Sequence, residues 1–315
     1  MSQANTTTRV EIERFVPKLR AFLSLMKPLT SVSIAVAIPF TGLLYGELYT
    51  QSGVEFVLGN LEAVALAMMG LFFVHGGSQS LNMSEDAHID EQTDHKSDRP
   101  IPSGLVSRDE ARSVAWATIL IGVGFAFTVN TIFGVFMLML VANGIWYNLD
   151  PLRVKKRLWM NLIWQAASRG LLLYPAAFAV FGDPLNPVGW GLGFVAFLLV
   201  LSMQNTADFS DVDEDRANGI ITPAVYHGIR PLVRIMTVIA TFVFVTLVAL
   251  IYVGILPNFW SLGILVVPIY WSLWKLWESP ETVSEIGGNH TSWVVYYGCL
   301  ASMYILPPLQ LALIA

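Results

Sequence analysis

The stretch Leu71-Phe-Phe-Val-His-Gly-Gly-Ser-Gln-Ser-Leu-Asn82-Met-Ser-Glu-Asp86-Ala-His-Ile-Asp90 runs from an apolar segment straight into a group of acids, in a chain only 13% charged. The apolar part, about Glu62–Leu81, is long enough to cross roughly 30 Å of hydrocarbon as a helix, which takes about 20 residues. Residues four apart share a helix face, so Asn82, Asp86 and Asp90 line one side of its continuation. The arrangement recurs after Val188–Asn205, where Asp208-Phe-Ser-Asp211-Val-Asp-Glu-Asp215 places Asp208, Asp211 and Asp215 along one side of an expected helical extension. Like charges so spaced repel one another unless a cation lies between them. A hard ion such as Mg²⁺ takes one or two carboxylates and completes its shell with water and phosphate oxygens. Glu85, Glu91, Asp94, Asp213 and Glu214 fall off these faces and are expected to be solvated or supporting.

Working outward, 55% of the 315 residues are hydrophobic and the mean hydropathy is +0.59, outside the range of a soluble domain. Apolar runs occur at about Thr30–Leu48, Glu62–Leu81, Ser113–Asn130, Thr131–Tyr147, Trp159–Phe181, Val188–Asn205, Leu232–Val253, Phe259–Trp274 and Ser292–Ile314. They predict an all-α membrane protein of about nine transmembrane helices. The thin break at Val129-Asn-Thr is read as a tight turn helped by Gly134. Lys and Arg collect in cytoplasmic loops. With the N-terminus cytoplasmic, 17 of the 18 basic residues fall on the inner side and the exception, Arg169, lies within the fifth run. Both acidic groups then emerge on the cytoplasmic face of a cell membrane. Four crossings separate them, so the repeat is parallel rather than inverted.

Residues 1–26 are expected to form an N-terminal cytoplasmic segment and 27–315 a single transmembrane domain. Glu11 to Leu25 mixes charges with Ile12, Phe15, Val16, Leu19, Phe22 and Leu23, as a helix lying on the membrane surface does. Cys299 is the single cysteine, which excludes a disulfide framework and a cysteine metal site.

Asn82-x3-Asp86-x3-Asp90, followed by Arg99-Pro-Ile-Pro-Ser-Gly104, resembles the first signature of the UbiA-type intramembrane prenyltransferases. Asp208-x2-Asp211-x3-Asp215-Arg216-x2-Gly219-x2-Thr222-Pro223 resembles the second. The resemblance implies a helical bundle around a central lipid-facing cavity, capped on the cytoplasmic side by the acidic loops. It implies two Mg²⁺ ions bridging both motifs to the diphosphate of a polyprenyl donor. Asp86, Asp90, Asp211 and Asp215 would be the principal ligands and catalytic residues, with Asn82 and Asp208 supporting. The allylic C–O bond weakens as the departing diphosphate is neutralised, and a lipophilic acceptor attacks. Tyr147, Arg153, Lys155, Lys156 and Arg157 resemble the family's tyrosine and basic loop, and Lys27 its basic residue before the first helix; with Arg99 these would contact the phosphates.

A guanidinium inside a membrane helix is costly and normally points into a cavity, so Arg169 is assigned to acceptor recognition or a charge pair. Trp159, Trp190, Trp260, Trp274, Trp277 and Trp293 read as interfacial belts. Ala207, Glu214, His88 and Asp94 depart from the commoner family pattern, and no Met-Arg-Thr signature of the haem farnesyl branch is present. Chlorophyll-synthase-like, archaeal ether-lipid and quinone branches all stay open for the acceptor, whether aromatic, lipid or tetrapyrrole. An intramembrane terpene cyclase or carotenoid-elongating enzyme is the alternative within the family. A cation-coupled transporter is disfavoured, because transport sites lie near the bilayer midplane. Expected partners are the polyprenyl diphosphate, the acceptor and membrane lipid; neither a nucleic acid nor an obligatory protein partner is expected.

Overall fold

A backbone that crosses hydrocarbon must satisfy its own N–H and C=O groups, which leaves helices as the solution for runs of this length. The computed structural model describes residues 16–50, 52–91, 96–209, 211–280 and 291–314, and every regular element among them is helical. A helix over 16–25 (α1) precedes Pro28–Ala35 (α2), Ala37–Tyr49 (α3), Gly53–Gly59 (α4), Leu61–Asp90 (α5), Arg108–Val129 (α6) and Thr131–Asn148 (α7). Then come Leu158–Ala166 (α8), Leu173–Ala179 (α9), Pro187–Met203 (α10), Val212–Ala217 (α11), Pro223–His227 (α12), Ile229–Tyr252 (α13), Val266–Glu278 (α14) and Thr291–Ile314 (α15).

The expected crossing segments correspond in order to α2 with α3, α5, α6, α7, α8 with α9, α10, α13, α14 and α15. Among the described residues, seven helices are long and apolar enough to span a membrane, and the protein is an integral membrane protein. The fifth and eighth segments differ because each changes geometry on the way. A π-helical stretch, Ala167–Leu172, joins α8 to α9, and a 3-10 turn, Trp260–Leu265, leads into α14. The thin break is real: Asn130 caps α7 by accepting from Phe133 N at 2.8 Å and donates to Ala179 O at 2.9 Å. Gly134 is not part of that turn. It lies inside α7, where a Cβ would stand 2.5 Å from the Phe127 ring.

Close backbone approach fixes two helix pairs. A Cβ on Gly122 of α6 would lie 2.7 Å from Gly70 O and Val74 N of α5, so these helices meet backbone to backbone. A Cβ on Gly170 would lie 2.4 Å from Phe197 N, which seats the π-helical stretch on α10 inside the bundle, where irregular backbone is shielded from lipid.

α1 uses Ala21 and Leu25 to pack against Met83 and Ala87 of α5, Ile101, Val106 and Ala111. Val16, Leu19 and Leu23 stay exposed, while residues 11–15 of the expected surface helix, with Ile12 and Phe15, lie outside the described residues. The second acidic group departs from expectation. α10 stops at Met203, a 3-10 turn covers Gln204–Asp208, and α11 starts only at Val212. Asp208, Asp211 and Asp215 are therefore not on one continuous helix.

Candidate active site

α5 runs unbroken to Asp90, so Asn82, Asp86 and Asp90 do share a face. Asn82 Nδ2 donates to Asp86 Oδ2 at 3.2 Å and to Asn148 Oδ1 at 2.7 Å. Lys155 Nζ donates to Asp86 Oδ1 at 2.6 Å and to Asn148 Oδ1 at 3.2 Å. Arg153 approaches the same Asp86 oxygen at 3.6 Å, and Arg99 donates to Asp90 Oδ2 at 2.6 Å. Burial pushes the Lys155 ammonium below its ordinary range, and Asp86 opposes that shift. Each acid of the first group thus has a cation from elsewhere in the chain. Glu85, expected to be solvated or supporting, is buried off that face and tied to Arg108 at 3.0 Å and to Arg112.

The second group is less well balanced. Lys96, buried between the two loops, reaches Glu214 at 2.8 Å and Asp211 only at 3.9 Å. Arg216 turns away to Asp213, whose side chain is 97% exposed. Burial, then the charges of Asp215 and Asp211, hold the Asp208 carboxyl well above the usual carboxylate range. Burial, then Asp211 and Glu214, push Asp215 up to about 7. Anions held at this cost are stabilised by an added cation. Among the described residues no three His, Cys, Asp or Glu side chains converge as a ready metal site. A hard divalent ion sharing one or two carboxylates with water and phosphate needs no such cluster. The donor set fits it.

Among the described residues two that are not glycine have left-handed backbone, Lys27 (φ 45°) and Arg153 (φ 30°). This conformation is costly for a side-chain-bearing residue and concentrates at ligand sites. Both are basic residues beside the acids. Arg153 Nε is also buried without a hydrogen-bond partner among the described residues, a donor placed for an anion.

Beside these groups is a cavity of about 420 Å³ lined by Lys27, Asn82, Arg169, Asp208, Asp211 and Tyr297, among others. Two branches leave it. One is a pocket of about 120 Å³ between α5, α7 and α8, bearing His75, Gln79, Asn143 and Gln165. The other, about 350 Å³, opens between α2 and α15 and is lined by Leu29, Ile34, Leu173, Leu300 and Tyr304. Arg169 borders all three. Its Nη1 donates to Gln165 Oε1 at 3.3 Å, to Tyr296 OH at 3.4 Å and to Gln204. Tyr147 donates to Asn161 Oδ1 at 2.9 Å and accepts from Gln165 at 3.2 Å, so its hydroxyl is engaged at the cavity floor rather than with the acids.

Reasoning from sequence missed Lys96, Asn148, Gln165, Gln204 and Tyr296. Polar side chains inside apolar runs were the available signal for Gln165, Gln204 and Tyr296. Trp293 lines the cavity instead of only the interface, because α15 turns that face inward.

Residues 37–285 match the UbiA prenyltransferase family. Digeranylgeranylglyceryl phosphate synthase of Methanopyrus kandleri is 30% identical over 225 residues, 70% of this chain and 75% of that protein. Protoheme IX farnesyltransferase of Korarchaeum cryptofilum is 31% identical over 121 residues, 38% of this chain and 37% of that one. The fold is similar to that of a UbiA homologue from Archaeoglobus fulgidus bound to GPP and Mg²⁺, with a TM-score of 0.67 and 17% identity over 92% of this chain and 99% of that chain. The matched residues include both acidic groups and the basic loop between them, and the chain belongs to the UbiA prenyltransferase family.

Proposed function

We propose that this prenyltransferase moves a polyprenyl group from its diphosphate to a lipophilic acceptor, with the diphosphate and two Mg²⁺ ions held between Asp86 and Asp90 on one side and Asp211 and Asp215 on the other. Asn82 and Asp208 support those carboxylates. The observation that carries the reading is that Asp86 and Asp90, held by Lys155, Arg153 and Arg99, stand beside a cavity that Lys27, Asn82, Asp208 and Asp211 line and that borders an apolar opening between α2 and α15. Bound Mg²⁺ would supply charge neutralisation to the departing diphosphate. Lys155 and Arg153 would exchange Asp86 for phosphate oxygens. The tail would lie along Leu29, Ile34 and Leu300, and Arg169, beyond the phosphate end, would orient the acceptor.

Membranes containing the protein, incubated with labelled geranylgeranyl diphosphate, Mg²⁺ and a panel of lipophilic acceptors, should yield a prenylated product identified by mass spectrometry and lost in EDTA. Cation flux in vesicles with no transfer would overturn the reading. The basic residues collected around the site support a position on the cytoplasmic face. Cysteines at Ser97 and Asn218 should then react with impermeant reagent from the cytoplasmic side, and one at Gln51 from outside.

A further inference from the structure

The polar branch of the cavity holds a histidine whose hydrogen bonds fix its tautomer. Ser31 Oγ has one hydrogen and lies 2.7 Å from Met26 O, a carbonyl that can only accept. The 2.8 Å contact between Ser31 Oγ and His75 Nδ1 must then be closed by a ring N–H donated to the hydroxyl. With Nδ1 carrying the hydrogen, Nε2 keeps its lone pair. It faces Gln79 Nε2 across a long 3.3 Å hydrogen bond. A serine that orients an imidazole so that the other nitrogen stays basic does what a histidine's orienting partner does in catalysis generally.

The placement suits the chemistry. His75, Gln79 and Asn82 follow one another on one face of α5, so the ring lies about 10 Å along the axis from Asn82, at 1.5 Å per residue. His75 is half-buried and borders the pocket. Lys27 and Arg169 are the charged groups facing it, and Tyr147 of α7 is the other titratable group on that wall.

Resting on the transferase reading above, we propose that His75 Nε2 is the catalytic proton acceptor, and that the acceptor substrate presents a hydroxyl group in this pocket between His75 and Arg169. The allylic C–O bond breaks and its electron pair leaves on the diphosphate. The acceptor oxygen forms the new bond to the allylic carbon, and its proton passes to Nε2. The imidazolium then returns that proton to water or to the released diphosphate. Ser31 acts as a positioning residue.

The test takes the acceptor that the intact protein turns over and measures kcat against pH beside equilibrium binding of labelled donor diphosphate. His75→Asn retains an amide N–H for Ser31 and should lose about 10²-fold or more in kcat, lose the acidic limb of the profile, and bind donor within about twofold of the intact protein. The methyl ether of the acceptor should not react. Unchanged kcat, a reduced kcat with the acidic limb intact, or turnover of the ether would overturn the proposal. Ser31→Ala, with the ring free to take the other tautomer, should lower kcat about 10-fold at unchanged donor affinity. ¹⁵N-histidine magnetic resonance of the protein in nanodiscs, with the signal assigned by its loss in His75→Asn, should show a neutral Nδ1–H ring; an Nε2–H ring would sink the assignment. Absence of transfer to every acceptor by the intact protein would remove the function reading, and the nitrogen spectrum would still decide the tautomer.

Discussion

The two acidic motifs have similar side chains and opposite construction. The first is written on α5, which runs straight through Asp90 with its backbone clamped against α6, and its acids are met by Lys155, Arg153 and Arg99. The second is broken between a 3-10 turn and the short α11, and among the described residues Lys96 reaches toward it. The difference teaches that one half of the candidate site is preorganised and neutralised by the protein itself, whereas the other crowds its carboxyl groups together, a repulsion that an added cation would relieve.

That contrast is tested most severely by neutralising one acid from each side. Asp86→Asn and Asp211→Asn should each lower turnover by at least about 10²-fold, since on the proposed reading both remove charge that would hold the leaving group's counterions. Their effects on stability should have opposite signs. Asp86→Asn strands Lys155 and Arg153 and should cost about 1–3 kcal/mol, whereas Asp211→Asn relieves repulsion and should leave the metal-free protein as stable or more so. Thermal unfolding in EDTA reads the split, and equal destabilisation by both would erase the distinction.

Arg169, which touches neither motif, comes next. Arg169→Leu should reduce turnover with a given acceptor about tenfold or more while donor diphosphate affinity changes less than about threefold, because the phosphate end lies farther along the cavity. Arg169→Lys should restore part of it, since a point charge cannot reproduce a planar fork. Fully normal kinetics in a stable Arg169→Leu protein would detach this residue from the acceptor.

The crowding of carboxyl groups also has a pH signature. Asp215 sits at about 7 in the fold against an ordinary 3.8, a raised carboxyl. The folded state therefore prefers the protonated form, and the metal-free protein should lose stability as pH rises from about 4 to 7 and then level off. Millimolar Mg²⁺ with donor diphosphate should flatten that slope. A slope of the same size with both ligands present would show that the second motif is not where the cations go.

The smallest effect is expected from acids outside the contrast. Asp213→Asn, on an almost fully exposed side chain, should change stability by less than about 0.5 kcal/mol and leave turnover near normal. A large kinetic loss there would mean that the exposed face of α11 joins the site.

The crossing segments were legible because hydropathy and length suffice for them, and the first motif because a four-residue spacing on a continuing helix has one geometry. The second motif has spacings of three and four that a helix would also place together, and nothing local marks the stop at Met203. The break goes with burial of Asp208 among like charges, which is a tertiary fact. Glu85 looked peripheral because its partners, Arg108 and Arg112, sit on the next helix. Lys96 was counted only as an inner-loop cation, since its contacts to Glu214 and Asp211 depend on two loops more than a hundred residues apart meeting in space.

The π-helical stretch at Ala167–Leu172 amounts to a phase shift in the fifth crossing segment. A helix advances about 100° per residue, and a π turn holds one residue more than an α turn. Winding the same residues as regular α-helix would turn one flank against the other by roughly that angle. Either Arg169 and Gln165 leave the cavity wall together, or Gly170 loses its seat on α10 and a side chain is driven into Phe197. The register of a single turn thus decides whether the bundle has a polar floor at all, and on the proposed reading a change of winding there would alter acceptor choice while leaving every acidic and basic residue at the mouth in place.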